Sequence, residues 1–385
     1  MLCLWPFRHV SIDQRGRMRP CCSWRFEEYE EHYDDSTIVN FNHSTIQDYI
    51  DSQFLKTLQT DMANDQFPKG GCSDCINEMK SGRDTLFEAG NRKYAMSQNF
   101  RIHDMEIKFG NKCNLACVMC APACSTLIEN EAIENFEFIQ SQGFDAPRKR
   151  IYDGITPWFE REDKMRDLAQ FASKSQLIRF TGGEPTVNGY LRTFLSYLKE
   201  YTTDIDLKLT TNGFKIPQSL LESVKDFKSV WFDFSIDGVG KVNEFVRWPS
   251  KWDNINTNIE RCASLPNSYV TVKTTLHAVN MHNIGEICEW VSKNPNIIEW
   301  DVNLVWEPYY LRPVHASAES KRIFYETAKK YDKNSKCWAL QTAKSAVEGE
   351  ETNTKDSTEV NKKLTKYLNM LSSMRKVDWQ DYVRI

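Results

Sequence analysis

Met105-Glu106-Ile107-Lys108-Phe109-Gly110-Asn111-Lys112-Cys113-Asn114-Leu115-Ala116-Cys117-Val118-Met119-Cys120 joins a short strand-like run to a cysteine triplet of the form CxxxCxxC. Met105–Phe109 reads as a strand, and the loop behind it presents Cys113, Cys117 and Cys120 together. Three thiolates from one loop can hold three irons of a cubane [4Fe-4S] cluster and leave the fourth iron open to a small ligand. Two other readings of these thiols stand beside it. Cys124 can act as a fourth ligand that closes the cluster, or the loop can form a zinc knuckle.

Downstream, the apolar runs Leu177–Phe180, Ile205–Leu209, Ser229–Ser235, Val270–Leu276 and Ile297–Leu304 alternate with helical patterns. The helices are expected near residues 125–140, 158–175, 188–200, 217–226, 250–264 and 283–293. Repeated strand-then-helix units predict an α/β fold, a mostly parallel sheet covered by helices that forms an open or partial barrel. The carboxyl ends of these strands carry Thr181-Gly182-Gly183-Glu184-Pro185, Thr210-Thr211-Asn212-Gly213, Ser235-Ile236-Asp237-Gly238, His277 with Asn280, and Trp306 with Tyr309 and Tyr310. In such a fold these ends form the mouth of the cavity, so His277, Asn280, Trp306 and Tyr309 are candidates for contact with cofactor or substrate. Residues 344–362 read as a polar loop, followed by a final helix over 362–376 that packs through Leu364, Leu368 and Leu371.

The chain has 385 residues, 41% of them hydrophobic, enough for one large core with a small second domain. Its 49 basic and 53 acidic side chains give a net charge of −4, so composition supplies no basic field for nucleic acid or anionic membrane. The apolar runs are too short to cross a membrane, and the polar opening of the chain makes the cytoplasm the expected location. Twelve cysteines, nine of them in the first third, point to metal or iron–sulfur chemistry rather than to a disulfide scaffold.

Before residue 99 the pattern is that of a small α+β module. A hairpin formed by residues 8–12 and 17–19 leads to Cys21-Cys22, and a helical region capped by Ser44 runs to Met62. Pro68-Lys69-Gly70-Gly71 then precedes Cys72 and Cys75, and residues 77–98 form a polar bridge. Two separated cysteines and a later CxxC suit either a four-thiolate cluster or a zinc ribbon, and spacing alone does not choose between Cys21 and Cys22. The expected organisation is an N-terminal module over 1–98, a barrel over 99–315 and a helical extension over 316–385. Cys262, Cys288 and Cys337 read as buried thiols.

CxxxCxxC after the first strand, together with Gly182-Gly183-Glu184 after the second, resembles the radical S-adenosylmethionine (SAM) enzymes along most of residues 103–312. The resemblance implies a partial (β/α)6 TIM-like barrel whose three cysteines bind a [4Fe-4S] cluster, with the methionine moiety of SAM on the open iron. It also implies SAM contacts from Met119, Gly182, Gly183, Glu184, Asn212, Ser235, Asp237, Arg247 and Asn280, and substrate contacts from His277, Trp306 and Tyr309. Met119 departs from the family's usual aromatic residue at its position. The N-terminal module is similar to a twitch domain, the shortened relative of the SPASM domain, although in most relatives that domain follows the barrel. Cys3, Cys21, Cys72 and Cys75 would then hold an auxiliary [4Fe-4S] cluster.

The implied activity begins with one electron from a flavodoxin- or ferredoxin-like donor and proceeds through a 5′-deoxyadenosyl radical that removes hydrogen from a C–H bond. The expected outcome is an oxidative or bond-forming modification of a peptide or protein. The alternatives are dehydrogenation or rearrangement of a small sugar-like metabolite, or an RNA-modifying or non-catalytic iron–sulfur role.

Overall fold

The structure is a computed structural model and describes residues 2–25, 39–68, 71–80, 85–94, 102–154, 156–351 and 358–385. Residues 69–70, 81–84 and 95–98 of the expected linker and bridge, and 352–357 of the expected polar loop, lie outside the described residues.

Eight strands form one sheet in the order β2-β1-β3-β4-β5-β6-β7-β8. They are β1 His9–Ile12, β2 Met18–Arg19, β3 Asp104–Lys108, β4 Leu177–Thr181, β5 Asp206–Thr211, β6 Ser229–Ser235, β7 Ser268–Leu276 and β8 Ile297–Leu304. The helices are α1 Trp5–Arg8, α2 Ile46–Asp51, α3 Gln53–Ala63, α4 Ser73–Lys80, α5 Leu86–Tyr94, α6 Thr126–Glu134, α7 Phe136–Ser141 and α8 Glu162–Ala172. Further on come α9 Gly189–Lys199, α10 Gln218–Val224, α11 Lys241–Val246, α12 Trp252–Ala263, α13 Ile284–Lys293, α14 Ala318–Lys330, α15 Ala339–Glu351 and α16 Thr358–Arg375. From β3 onward each strand is followed by helix, so β3–β8 supply the six strand–helix units of an open, partial (β/α) barrel. The N-terminal hairpin extends this sheet, with β1 antiparallel to β2 but parallel to β3.

The described residues divide into two compact units. The first is Met1–Gly110, Gly154–Lys208 and Asp226–Ser229; the second is Asn111–Asp153, Leu209–Lys225 and Val230–Ile385.

In the first unit, register sorts the side chains of β1, β3 and β4 into two faces. Val10 pairs with Met105 and Met105 with Ile178, while Ile12 pairs with Ile107 and Ile107 with Phe180. All six are buried, because successive strand residues point to opposite faces and these fall on the face that packs against helices. The alternate positions are polar: His9 beside Asp104, Ser11 beside Glu106 and Arg179, and Lys108 beside Thr181. Below the apolar face, Phe180 meets Phe194 of α9 at 5.8 Å between ring centroids. Phe109 meets Trp158 at 5.4 Å, and Phe41 meets Trp158 at 5.3 Å.

In the second unit β6, β7 and β8 run parallel, and Phe232, Phe234, Val270, Val272 and Trp300 are buried along them. Cys262 of α12, Cys288 of α13 and Cys337 are buried, as expected of packing thiols.

Three local expectations are corrected. The first N-terminal helix is capped by Thr45 rather than Ser44, because Thr45 Oγ1 accepts from the Asp48 amide and Asp48 reaches back to the Thr45 amide. Extended Ser52 then divides the helical region into α2 and α3 and caps the second of them. Residues 344–351 and 358–362 are helical instead of looped. Leu340, Ala343 and Val347 are buried at helical spacing, a pattern that starts before residue 344 and carries the polar residues along with it.

Trp158 is buried at the centre of its aromatic group, and its Nε1 donates to the Asp13 carbonyl at 3.1 Å. Trp158→Ala is expected to cost about 3–5 kcal/mol through cavity formation and an orphaned carbonyl. Urea unfolding checks this; a loss below about 1 kcal/mol would mean that the group is not part of the core.

Candidate functional site

The cysteine loop lies in the second unit and has no regular structure of its own, so its backbone is held by other segments. The Ala116 amide donates to the Trp248 carbonyl at 2.6 Å and the Val118 amide to the Val246 carbonyl at 2.8 Å. Ser125 Oγ donates to the Leu115 carbonyl at 2.6 Å while also accepting from the Ile128 amide as the N-cap of α6. Tyr367 of α16 donates its hydroxyl to the Val118 carbonyl at 2.7 Å.

This scaffold sets donors against the sulfurs. The Leu115 amide lies 3.5 Å from Cys113 Sγ and Asn212 Nδ2 lies 3.9 Å from the same atom. Arg247 reaches Cys117 Sγ at 3.9 Å. Cys120 is pushed well above the ordinary thiol range by its hydrogen bond with Cys124, by burial, and by the charges of Cys117, Cys124 and Cys113. That shift favours the neutral thiol, and iron would supply the positive charge that stabilises neighbouring thiolates, so this donor set fits an iron–sulfur cluster. Among the described residues no group of three or more His, Cys, Asp or Glu side chains is placed to hold a metal ion.

The strand-end residues of the second unit form one hydrogen-bonded framework. Arg247 forms a buried ion pair with Asp237 at 2.6 Å. Burial raises the Asp237 carboxyl, and Arg247 opposes that rise. Asp237 also accepts from the Thr275 amide at 2.7 Å. Asn280 donates to the carbonyls of Asp237 and Thr275 and accepts from the His277 amide, so its side chain ties the ends of β6 and β7 together. His277 is buried and pulled down to about 3 by burial and by Arg247, which keeps it neutral. Asn212 bonds Asn114 of the cysteine loop at 2.9 Å, and Ser235 closes β6 half-buried. Trp306 and Tyr309 are exposed.

Two expected elements lie in the first unit. Gly182 and Gly183 both have positive φ, and a Cβ on Gly182 would lie 2.8 Å from Lys108 Cβ, so glycine is required there. Glu184 is buried and accepts from the amide and hydroxyl of Thr186 at 3.0 and 2.7 Å.

The N-terminal thiols also share one electrostatic environment. Cys72 is pushed up to about 12 by burial and by the charges of Cys3 and Cys75, and Cys3 likewise by burial and Cys75. Cys21 is pushed up by burial and then by Cys22, Cys72, Cys3 and Cys75. By contrast, burial is followed for Cys22 by the charge of Glu106, on the polar sheet face. The Cys21–Trp24 turn lies against the chain entering Cys72, since a Cβ on Gly71 would meet the Trp24 ring at 2.4 Å.

The C-terminal helix, expected from its apolar spacing to pack on the core, borders the cysteine loop. A cavity of about 450 Å³ is lined by Cys117, Met119 and Cys120 on one side and by Lys363, Tyr367 and Arg375 on another. Arg375 makes a bidentate pair with Glu131 of α6 at 2.9 and 2.8 Å. No motif marks these residues; the only sequence signal was the apolar spacing of α16 itself.

Taken together, the strand-then-helix sheet and the thiol-bearing loop behind β3 define an α/β enzyme domain. Residues 107–291 match the Radical SAM superfamily model, and the chain carries a radical SAM catalytic domain flanked by N- and C-terminal regions. It is similar to GTP 3′,8-cyclase of Nautilia profundicola, 28% identical over 139 residues, covering 36% of each chain. It is also similar to GTP 3′,8-cyclase of Campylobacter jejuni subsp. doylei, 28% identical over 191 residues, covering 48% of this chain and 49% of the other. The chain thus spans a third to a half of the length of these curated relatives. Among solved structures, Streptococcus suis SuiB bound to S-adenosylmethionine aligns with TM-score 0.38 and 14% identity, over 72% of this chain and 62% of that one.

Tyr367→Phe keeps the ring but leaves the Val118 carbonyl unpaired, at an expected cost of about 1–3 kcal/mol concentrated on the cysteine loop. After anaerobic reconstitution the variant should bind iron less tightly in a chelator challenge. Retention equal to wild type would show that α16 does not steady the loop.

Proposed function

We propose that this chain is a radical SAM enzyme that carries out an oxidative or bond-forming modification at a C–H bond, with a peptide or protein as substrate. The observation that carries the reading is the cysteine loop: three thiols in the matched domain, tied through Ala116, Val118 and Leu115, with Asn212 and Arg247 directed at two of the sulfurs. Cys113, Cys117 and Cys120 would hold a [4Fe-4S] cluster; Met119, Gly182, Gly183, Glu184, Asn212, Ser235, Asp237, Arg247 and Asn280 would surround SAM. Bound together, cluster and SAM supply a 5′-deoxyadenosyl radical able to take hydrogen from an unactivated C–H bond.

The protein's part is placement and exclusion of water. Asp237 holds Arg247 in one orientation, and neutral His277 adds no charge beside it. His277, Trp306 and Tyr309 are proposed to face substrate. An auxiliary [4Fe-4S] cluster on Cys3, Cys21, Cys72 and Cys75 is supported by the shared field of those thiols, and it favours Cys21 over Cys22 as the ligand. Held by these four thiols, a cluster would supply one-electron redox chemistry suited to a net oxidation. The external electron source would be a flavodoxin- or ferredoxin-like protein, and the cytoplasm the location.

A second reading, a small metabolite as substrate, is favoured by the relatives' names, since GTP 3′,8-cyclases act on a nucleotide.

Iron and sulfide analysis with Mössbauer spectroscopy should find about eight irons per chain, one of them shifting when SAM is added. About four irons with bound zinc would remove the auxiliary cluster from the proposal. Cys117→Ala should abolish formation of 5′-deoxyadenosine, and retained formation at normal iron content would overturn the proposed SAM site. Cys75→Ala should lose about four irons while SAM cleavage persists.

A further inference from the structure

The polar face of β1, β3 and β4 is unusual for a sheet interior. At its base, Asp104 is fully buried and is paired with His9 Nδ1 and Lys93 Nζ, with Arg179 at 3.7 Å. Beside it, Glu106 accepts from Thr181 Oγ1 at 2.6 Å and lies 3.3 Å from Lys108 Nζ. Burial pushes Glu106 up, but Lys108 and Thr181 outweigh it and hold the carboxyl below its ordinary value. Both carboxylates are therefore engaged within the sheet.

Among the described residues cations outnumber carboxylates on this face. Lys93, Lys108 and Arg179 face two carboxylates, and Lys208 of β5 adds its field to Lys93. Lys93 is pulled down to about 7 by burial and by the like charges of Arg179 and Lys208. The three cations keep 32%, 23% and 30% of their side-chain surface exposed, so their charged ends remain reachable.

Beneath them, His9 and Ser11 are each 1% exposed, yet His9 Nε2, Ser11 Oγ and Arg179 Nε have no hydrogen-bond partner among the described residues. Buried polar atoms normally find partners, so three on one face mark a place where a ligand supplies them. Because neutral His9 donates its Nδ1–H to the Asp104 carboxylate, Nε2 is an acceptor and suits a hydroxyl or N–H. The face ends at the Gly182 turn, where Lys108 pairs with Thr181, and Cys22 lies in the field of Glu106, Lys108 and Arg179.

We infer that this face binds an anionic group of the substrate, a carboxylate or a phosphate, on Lys93, Lys108 and Arg179, with an adjacent hydroxyl or N–H received by His9 Nε2 and Ser11 Oγ. The inference rests on the radical SAM reading only in calling the ligand a substrate. A guanidinium offers paired N–H groups matched to either anion, which makes Arg179 its main anchor.

Isothermal titration calorimetry of the anaerobically reconstituted full chain, at constant ionic strength, tests the site with inorganic phosphate and with glutarate. Wild type should bind at least one of them. Arg179→Gln and Lys108→Gln should each weaken binding about tenfold or more, and Ser11→Ala a few-fold. Tighter binding of phosphate assigns a phosphoryl group, and tighter binding of glutarate a carboxylate. Wild type that binds neither probe overturns the inference, as does equal affinity in wild type and both charge variants. A shift in the reduction potential of the N-terminal cluster in Arg179→Gln, with anion affinity unchanged, also overturns it by assigning the cations to that cluster. Thermal melts of both charge variants separate misfolding from lost affinity. Formation of 5′-deoxyadenosine by wild type reports on the radical SAM reading separately: its absence beside intact anion binding overturns that reading and leaves this site standing.

Discussion

Val118 is the residue on which the order of the cysteine loop turns. A loop that carries three thiols outside helix and sheet has no regular backbone ladder of its own, yet a buried amide and carbonyl still need partners. Val118 is buried, its amide is satisfied by Val246 and its carbonyl by Tyr367. The first partner lies at the end of α11 and the second on α16, more than a hundred residues away in each case. Ala116 and Leu115 repeat the arrangement with Trp248 and Ser125. Cys117 and Met119 flank this anchored residue, so the directions of the thiols follow from where distant segments place a few hydrogen-bonding groups.

Around that loop, polar side chains act in pairs that fix one another. Asp237 holds Arg247, Asn280 holds the backbone at Thr275 and His277, and Glu131 holds Arg375. Buried charges kept in this way contribute little net stability but impose one geometry, which suits a site that must orient a cofactor. The first unit follows the same logic with different chemistry. Alternation along β1, β3 and β4 sends apolar residues to the helices and leaves a lattice of carboxylates and cations on the other side. That lattice is expensive to bury unless it meets something of complementary charge.

Much of this was legible in the order of residues. Strand positions after residue 104 and the helices between them followed from apolar periodicity, because each element buries one face. The hairpin and the buried thiols of α12 and α13 were equally local in origin. The cap at Thr45 was misplaced by one residue because Ser44 and Thr45 both suit the position, and only the reciprocal bond with Asp48 distinguishes them. The helix α15 was missed because its apolar side begins at Leu340, upstream of the polar stretch. The lining of the cavity by α16 had no motif to announce it, since Lys363, Tyr367 and Arg375 look like ordinary polar residues on an amphipathic helix.

By itself, the sequence determined the elements and the chemistry available to them: a CxxxCxxC loop behind a strand, a glycine turn that tolerates positive φ, and thiols clustered in the first third of the chain. These are properties of spacing and residue type, which act over a few positions. Only the tertiary structure decided which distant groups complete them. Tyr367 meets Val118 across the chain, Cys21 lies in the field of Cys3, Cys72 and Cys75, and His9 is brought beside Asp104 by strand register. Hydrogen bonds and charge pairs depend on distance in space, and distance in space is set by packing that no local pattern encodes.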